Sequence, residues 1–138
     1  MPVDVKYLDG GKGVVAAMSG FVTGDELIAA NREVFSRDLA AEPYLYSLVD
    51  CDEIEGVNVS TLQLHEIARQ NIGASKNLRN YVVAIYAKND LPFALARMWQ
   101  VFVDRTGWDT QVFRSRPEAV AWIKELVLAK FGVAVGLD

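Results

Sequence analysis

The stretch from Tyr81 to Trp108, YVVAIYAKNDLPFALARMWQVFVDRTGW, carries the two periods that decide the fold. Tyr81 to Ala87 is apolar throughout, the pattern of a strand covered on both faces. Asp90 then caps a helix. Pro92 sits in its first turn, where a missing N–H costs little, and Gly107 stops it. Leu91, Leu95, Met98 and Phe102 recur at steps of four, three and four, one stripe of a helical period. Arg97, Gln100 and Asp104 fall on the opposite side. Phe93, Ala96 and Val103 also lie there, where a simple surface helix would carry polar groups. The Leu91 stripe is therefore expected in the core, with Phe93, Trp99, Val103 and Trp108 left as additional apolar surface.

Upstream, Val3 to Leu8 alternates as a strand, and the glycines of Asp9 to Gly13 suit a hairpin into a second strand, Val14 to Val22, with Gly20 as a bulge. Thr23 and Glu26 form a capping box for a helix running to about Arg37. Asn31 falls inside the apolar arc of that helix, to orient a ligand or, as the simpler expectation, to tie the helix to a neighbour. Tyr44 to Val49 reads as the third strand, and Asp50 to Gly56 as an acidic loop leaving its end. Ser60 or Asn58 caps a helix over Thr61 to Ser75, with Leu64, Ile67, Ala68 and Ile72 inward and Asn71 on the same side. Downstream, Thr110 to Arg114 is a short strand. Ser115, Pro117 and Glu118 then open a last helix with Ala119, Val120, Ile123, Leu126 and Val127 inward.

The order β-β-α-β-α-β-α-β-α predicts an α/β fold. It is a single-domain mixed, mostly parallel five-stranded sheet, with an N-terminal antiparallel hairpin and four helices. Periodicity leaves open whether the helices cover one face or both. With 138 residues the chain reads as one domain, 1–138, large enough to bury roughly two thirds of its unfolded surface. A 51% apolar and 23% charged composition is that of a soluble globular protein. Charges at Asp4, Lys6 and Asp9 interrupt what a signal peptide would need, and no apolar run reaches the length of a transmembrane segment. The cytoplasm is the expected compartment. Residues 1–75 carry 5 basic and 12 acidic groups and the remainder 9 and 6, which argues against nucleic acid as a partner.

Motifs with chemistry are few. Neither a phosphate-cradling glycine loop nor a nucleophile elbow is present. Cys51 is the single cysteine and His65 the single histidine, so no thiolate or two-histidine metal site can form, and no cofactor is expected. Asp50, Asp52 and Glu53 disfavour a Cys51 thiolate, which leaves an enzyme using Asp50, Cys51 or His65 as a remote reading. The carboxylates Asp50, Asp52, Glu53 and Glu55 read as a solvated acidic loop sooner than a cation site. Asp50, Lys88, Asn89 and Ser115 are expected along the carboxyl edge of the sheet, where open α/β sheets bind ligands.

The element order, the segment SLVDCDEIEGVNVS and the helix opening NDLPFALARMWQVF resemble the anti-sigma-factor-antagonist (STAS) superfamily. More closely they resemble its branch of small bacterial proteins without an assigned activity, related to the CRAL-TRIO group. In the regulatory members of that superfamily an Asp ends the third strand, and an Asp-Ser-Ser follows whose second Ser is phosphorylated at a helix N-terminus. Asp50 matches the first position and Ser60 the phosphorylatable one, whereas Asn58 and Val59 replace the other two. A plain N-cap explains Ser60 equally. The resemblance implies a non-enzymatic binding or regulatory module. It would act through a protein partner or self-association, a homodimer, with Phe93, Arg97, Trp99, Val103 and Trp108 as the contacting residues. The alternative is a small carrier of a lipid or other apolar ligand, its pocket between the Asp90–Trp108 and Thr61–Ser75 helices.

Overall fold

Residues 3–8 and 13–23 form the hairpin expected of their glycine-rich connection. In the computed structural model, which describes residues 2–138, β1 (Val3–Leu8) pairs antiparallel with β2 (Gly13–Thr23). The chain continues through α1 (Gly24–Val34), β3 (Tyr46–Asn58), α2 (Thr61–Ser75), β4 (Val82–Tyr86), α3 (Asp90–Phe102), β5 (Asp109–Phe113) and α4 (Arg116–Phe131). The five strands lie in the order β1-β2-β3-β4-β5, and every pair after the hairpin is parallel. This is the expected mixed α/β sheet with four helices.

Each crossover steps one strand further in the same direction, so crossovers of one hand put α1, α2 and α3 on one face. The core divides accordingly. Val83 and Ile85 of β4 join Val34, Leu64, Ile67, Ala96 and Trp99 from those three helices. Val82, Ala84 and Tyr86, on the alternate phase of the same strand, join Ala119, Val120, Ile123 and Val127 of α4. Three helices thus cover one face and one helix the other. Leu137, beyond α4, closes the α4 side, and the Gly136 N–H donates to the Asp9 carboxylate. The Tyr46 hydroxyl donates to the same carboxylate at 2.5 Å.

Side-chain caps mark where α1 and α2 begin. Thr23 and Glu26 make the reciprocal box at α1, and Ser60 with Gln63 makes a second at α2. Helix α1 stops at Val34, one turn short of the expected Arg37, and buried Leu39 anchors the loop beyond it.

Two expectations need correction. The acidic stretch Asp50 to Gly56 is not a loop, and Asp50 does not end a strand; β3 runs through it to Asn58. Strand β2 is long enough to pair with the whole length, Ala17 opposite Asp50 and Thr23 opposite Asn58. Two register shifts place extra residues on β3, one between Ala17 and Ser19 and one beside Gly20, whose φ is +68°. These bulges break the period of two, so the segment does not read as alternation, yet they let Cys51 and Ile54 turn inward while Glu53 and Glu55 stay exposed.

The second correction is the face of α3. Its buried residues are Pro92, Ala96 and Trp99, continued by Val103 after the helix. Leu91 and Met98, expected in the core, are 57% and 41% exposed. The buried set repeats the same four-three-four spacing displaced by one residue, a rotation of about 100°. Both arcs are apolar, so the period alone cannot choose between them. Packing chooses the arc in which Trp99 finds a polar partner on α2.

Candidate functional site

The α1–α3 face of the sheet does not close completely. Between it and the helices lies a cavity of about 180 Å³. Its floor is strand: Val14 and Ala16 of β2, Val49 and Cys51 of β3, Val83 and Ile85 of β4. Its roof is helix: Leu27 and Asn31 of α1, Leu64, Ile67 and Asn71 of α2, Leu95, Ala96 and Trp99 of α3. The lining residues of β4 are buried, whereas Val3, Val5 and Leu27 are half-buried, so the cavity runs from the deep core toward the β1–α1 edge. No lining residue carries a charged side chain.

Polar side chains in the roof are consumed by one another. The Trp99 Nε1–H donates to Asn71 Oδ1 at 2.9 Å, and the Asn71 amide lies 3.4 Å from Asn31 Oδ1. Asn31 Nδ2 donates to Gln70 Oε1 at 2.8 Å, and Gln70 reaches the Ile28 carbonyl at 3.3 Å. This chain ties α1, α2 and α3 together and gives Asn31 the structural role expected of it. At the opposite end the Trp108 Nε1–H donates to the Leu78 carbonyl and the Tyr44 hydroxyl to the Val34 carbonyl. Trp108, Tyr81, Phe35 and Tyr44 pack edge-on and tilted there, with Tyr81 and Trp108 centroids 4.9 Å apart.

The residues singled out from sequence as partner contacts divide. Trp99, Val103 and Trp108 are buried and cannot form an outer surface; Trp99 and Trp108 line the cavity instead. Phe93 is half-buried beneath the Arg114 guanidinium, 3.8 Å from its ring centre, and Arg114 also pairs with Asp90. Arg97 is exposed. Ser60 is exposed at the N-terminus of α2, its Oγ accepting from the Gln63 N–H at 3.1 Å, and Asn58 is exposed at the end of β3.

The remote catalytic set is not assembled. Cys51 is buried and lines the cavity, and burial, reinforced by the charges of Asp50 and Asp52, pushes its thiol up to about 12. It stays protonated at neutral pH and is a poor nucleophile. His65 lies on the exposed side of α2, stacked on Phe102 with ring centres 3.9 Å apart. Asp50 Oδ1 accepts from the Asp52 N–H and Asp52 Oδ1 from the Lys88 N–H, both at 2.9 Å. These carboxylates accept from backbone N–H groups within β3 and, through Asp52, from that of Lys88 just beyond β4. Among the described residues no group of three or more His, Cys, Asp or Glu is placed to hold a metal ion.

Sequence reasoning passed over Ser47 and Tyr81, two hydroxyl-bearing residues that line the cavity. Both sit inside apolar strand runs. The signal that could have found them is a hydroxyl on the strand phase shared with Val49 and Val83.

No protein-family model matches the sequence, and none of the curated proteins compared with it matches either. Among solved structures the chain is similar to an uncharacterised protein of the DUF3478 family, with a SpoIIAA-like fold, from Shewanella loihica PV-4. The TM-score is 0.55 at 16% identity, over 88% of this chain and 91% of that one. The chain thus has a SpoIIAA-like, STAS-like fold, as the sequence resemblance implied. At this identity the likeness speaks for the fold alone.

Proposed function

We propose that this domain binds a small apolar molecule in the cavity between the sheet and helices α1, α2 and α3. The cavity itself is the observation that carries this reading. Protein interiors pack like organic crystals, with few voids larger than a water molecule. A space of about 180 Å³ between sheet and helices leaves its apolar lining without packing partners, at a cost in lost contacts. An occupant offsets the cost, and the apolar lining selects an apolar one.

Titration with toluene, followed by the thermal midpoint, tests the proposal. Saturable binding to the native state raises the midpoint with ligand concentration. Ala16→Leu, which fills space from the floor, is expected to abolish that rise. Absence of any rise up to the solubility limit of toluene would remove the proposal.

A second reading, binding of a protein partner or self-association, is favoured by the outer side of α3. Leu91, Met98 and Val101 are 57%, 41% and 71% exposed there, and Arg97 stands among them. Light scattering distinguishes it: a dimer supports self-association through this face, and a monomer at high concentration counts against it.

A further inference from the structure

We infer that two copies of this chain join edge to edge through β1, antiparallel and centred on Val5, into one continuous sheet. The surface differs from the outer side of α3, and the inference does not depend on the cavity reading. Strand β1 is the last of the sheet on its side. Its hydrogen-bonding phase follows from one bond, in which the Ser19 N–H donates to the Pro2 carbonyl at 2.9 Å. In the hairpin register those two residues stand opposite one another, one step beyond Val3 and Met18. An antiparallel ladder alternates bonded and non-bonded pairs, so Asp4 and Lys6 turn their N–H and C=O groups toward β2. Val3, Val5 and Tyr7 turn theirs outward. Among the described residues no turn, loop or side-chain hydrogen bond reaches those outward groups.

The opposite edge of the sheet is treated differently. On β5 the Gln100 side chain donates to the Thr110 carbonyl at 2.7 Å, so the chain itself occupies an outward group there. The row left open on β1 is a template for an added strand.

Side chains select which strand is added. Asp4 and Lys6 are both exposed, and among the described residues neither pairs with a charge of its own chain. A second β1 laid antiparallel, Val5 facing Val5 of the second copy, puts Asp4 opposite Lys6 and Lys6 opposite Asp4. Those are the non-bonded positions of the new ladder. There opposed Cα atoms approach to about 4.5 Å, and opposite charges attract at closest range. In the bonded positions Val3 faces Tyr7, a ring stacked on Tyr44 and still 48% exposed. A β-branched residue against an aromatic is a favourable cross-strand pair. The neighbouring registers, centred on Asp4 or Lys6, oppose two like charges. Those centred on Val3 or Tyr7 leave both charges unmatched. The strand is thus complementary to itself in one antiparallel register, and a second copy is the partner that fits.

Sedimentation of the full chain over a range of concentrations tests this. The parent is expected to dimerise reversibly. Asp4→Lys alone and Lys6→Asp alone each oppose like charges, and each should weaken the dimer at least about tenfold. An equimolar mixture of the two single variants matches both charge pairs again and should recover the dimer. Both positions are exposed, so the variants are expected to keep the fold, which circular dichroism checks. A parent that stays monomeric at high concentration, or a mixture no more associated than its components, overturns the inference. So does a dimer indifferent to Asp4→Lys but lost in Val101→Glu, which places self-association on α3. The toluene titration tests the cavity separately from all of these outcomes.

Discussion

Asn71 is the residue on which the helical layer turns. It accepts from Trp99 of α3 and reaches Asn31 of α1, so its replacement orphans groups on two other helices. Asn71→Leu keeps the volume and removes the polar links. Denaturant unfolding should show a loss of about 2 kcal/mol or more, the cost of leaving the buried Trp99 N–H unpaired and loosening Asn31. Cys51 gives a second prediction at this scale. Its thiol is pushed from the ordinary 9.0 up to about 12, chiefly by burial. Below pH 9 it is protonated in both folded and unfolded chains and stability is unaffected. Above pH 9 the unfolded chain loses the proton and the folded one does not, so stability falls as pH rises toward 12. The expected slope is about 1.4 kcal/mol per pH unit from this group. It should disappear in Cys51→Ala, measured by unfolding at a series of alkaline pH values. Asn31, Trp99, Trp108 and Cys51 could be named from sequence as noteworthy, because each departs from its surroundings in type. Tyr81 carries only the weak signal of a hydroxyl on the strand phase of Val83, since a tyrosine in an apolar strand reads as core.

Among the elements, α3 separates what local pattern encodes from what packing decides. Its existence and start follow from Asp90, Pro92 and the apolar period, but Asn89 rather than Asp90 stands at the N-cap, and the helix ends at Phe102, short of the Gly107 expected to stop it. Its rotation does not follow, because adjacent arcs are both apolar. The consequence can be measured. Leu91→Gln and Met98→Gln on the exposed side should change stability by no more than about 0.5 kcal/mol. Trp99→Ala should cost about 3–5 kcal/mol, combining a large buried side chain with the loss of the Asn71 bond. If the two surface changes cost as much as the tryptophan, the orientation of α3 is wrong. Strand β3 teaches the converse. Its acidic run hides a strand because two bulges break the alternation and four carboxylates lower the strand propensity, while the length of β2 still recruits it into the sheet.

At the scale of the whole molecule, the alternation of strands and helices made the parallel sheet legible, and the opening glycines made its antiparallel edge legible. Which helices share a face follows from crossover handedness and stepwise strand order, a topological property that no single period contains. The cavity is further removed still. It reflects how far three helices stand from one sheet face, set by the Trp99–Asn71–Asn31–Gln70 bridge and by the side-chain volumes beneath it, so it belongs to no segment. Among the described residues no helix is long and apolar enough to cross a membrane, and no charged side chain lines the cavity. The central claim is that this interior space receives a neutral apolar guest. Methyl-resolved NMR titration with ethylbenzene tests it most directly. Saturable shifts confined to the methyls of Val14, Val49, Leu64, Ile67, Val83 and Ile85, all cavity-lining, are the expected result. Shifts absent from those methyls, or clustered instead on exposed Leu91, Met98 and Val101, would contradict it.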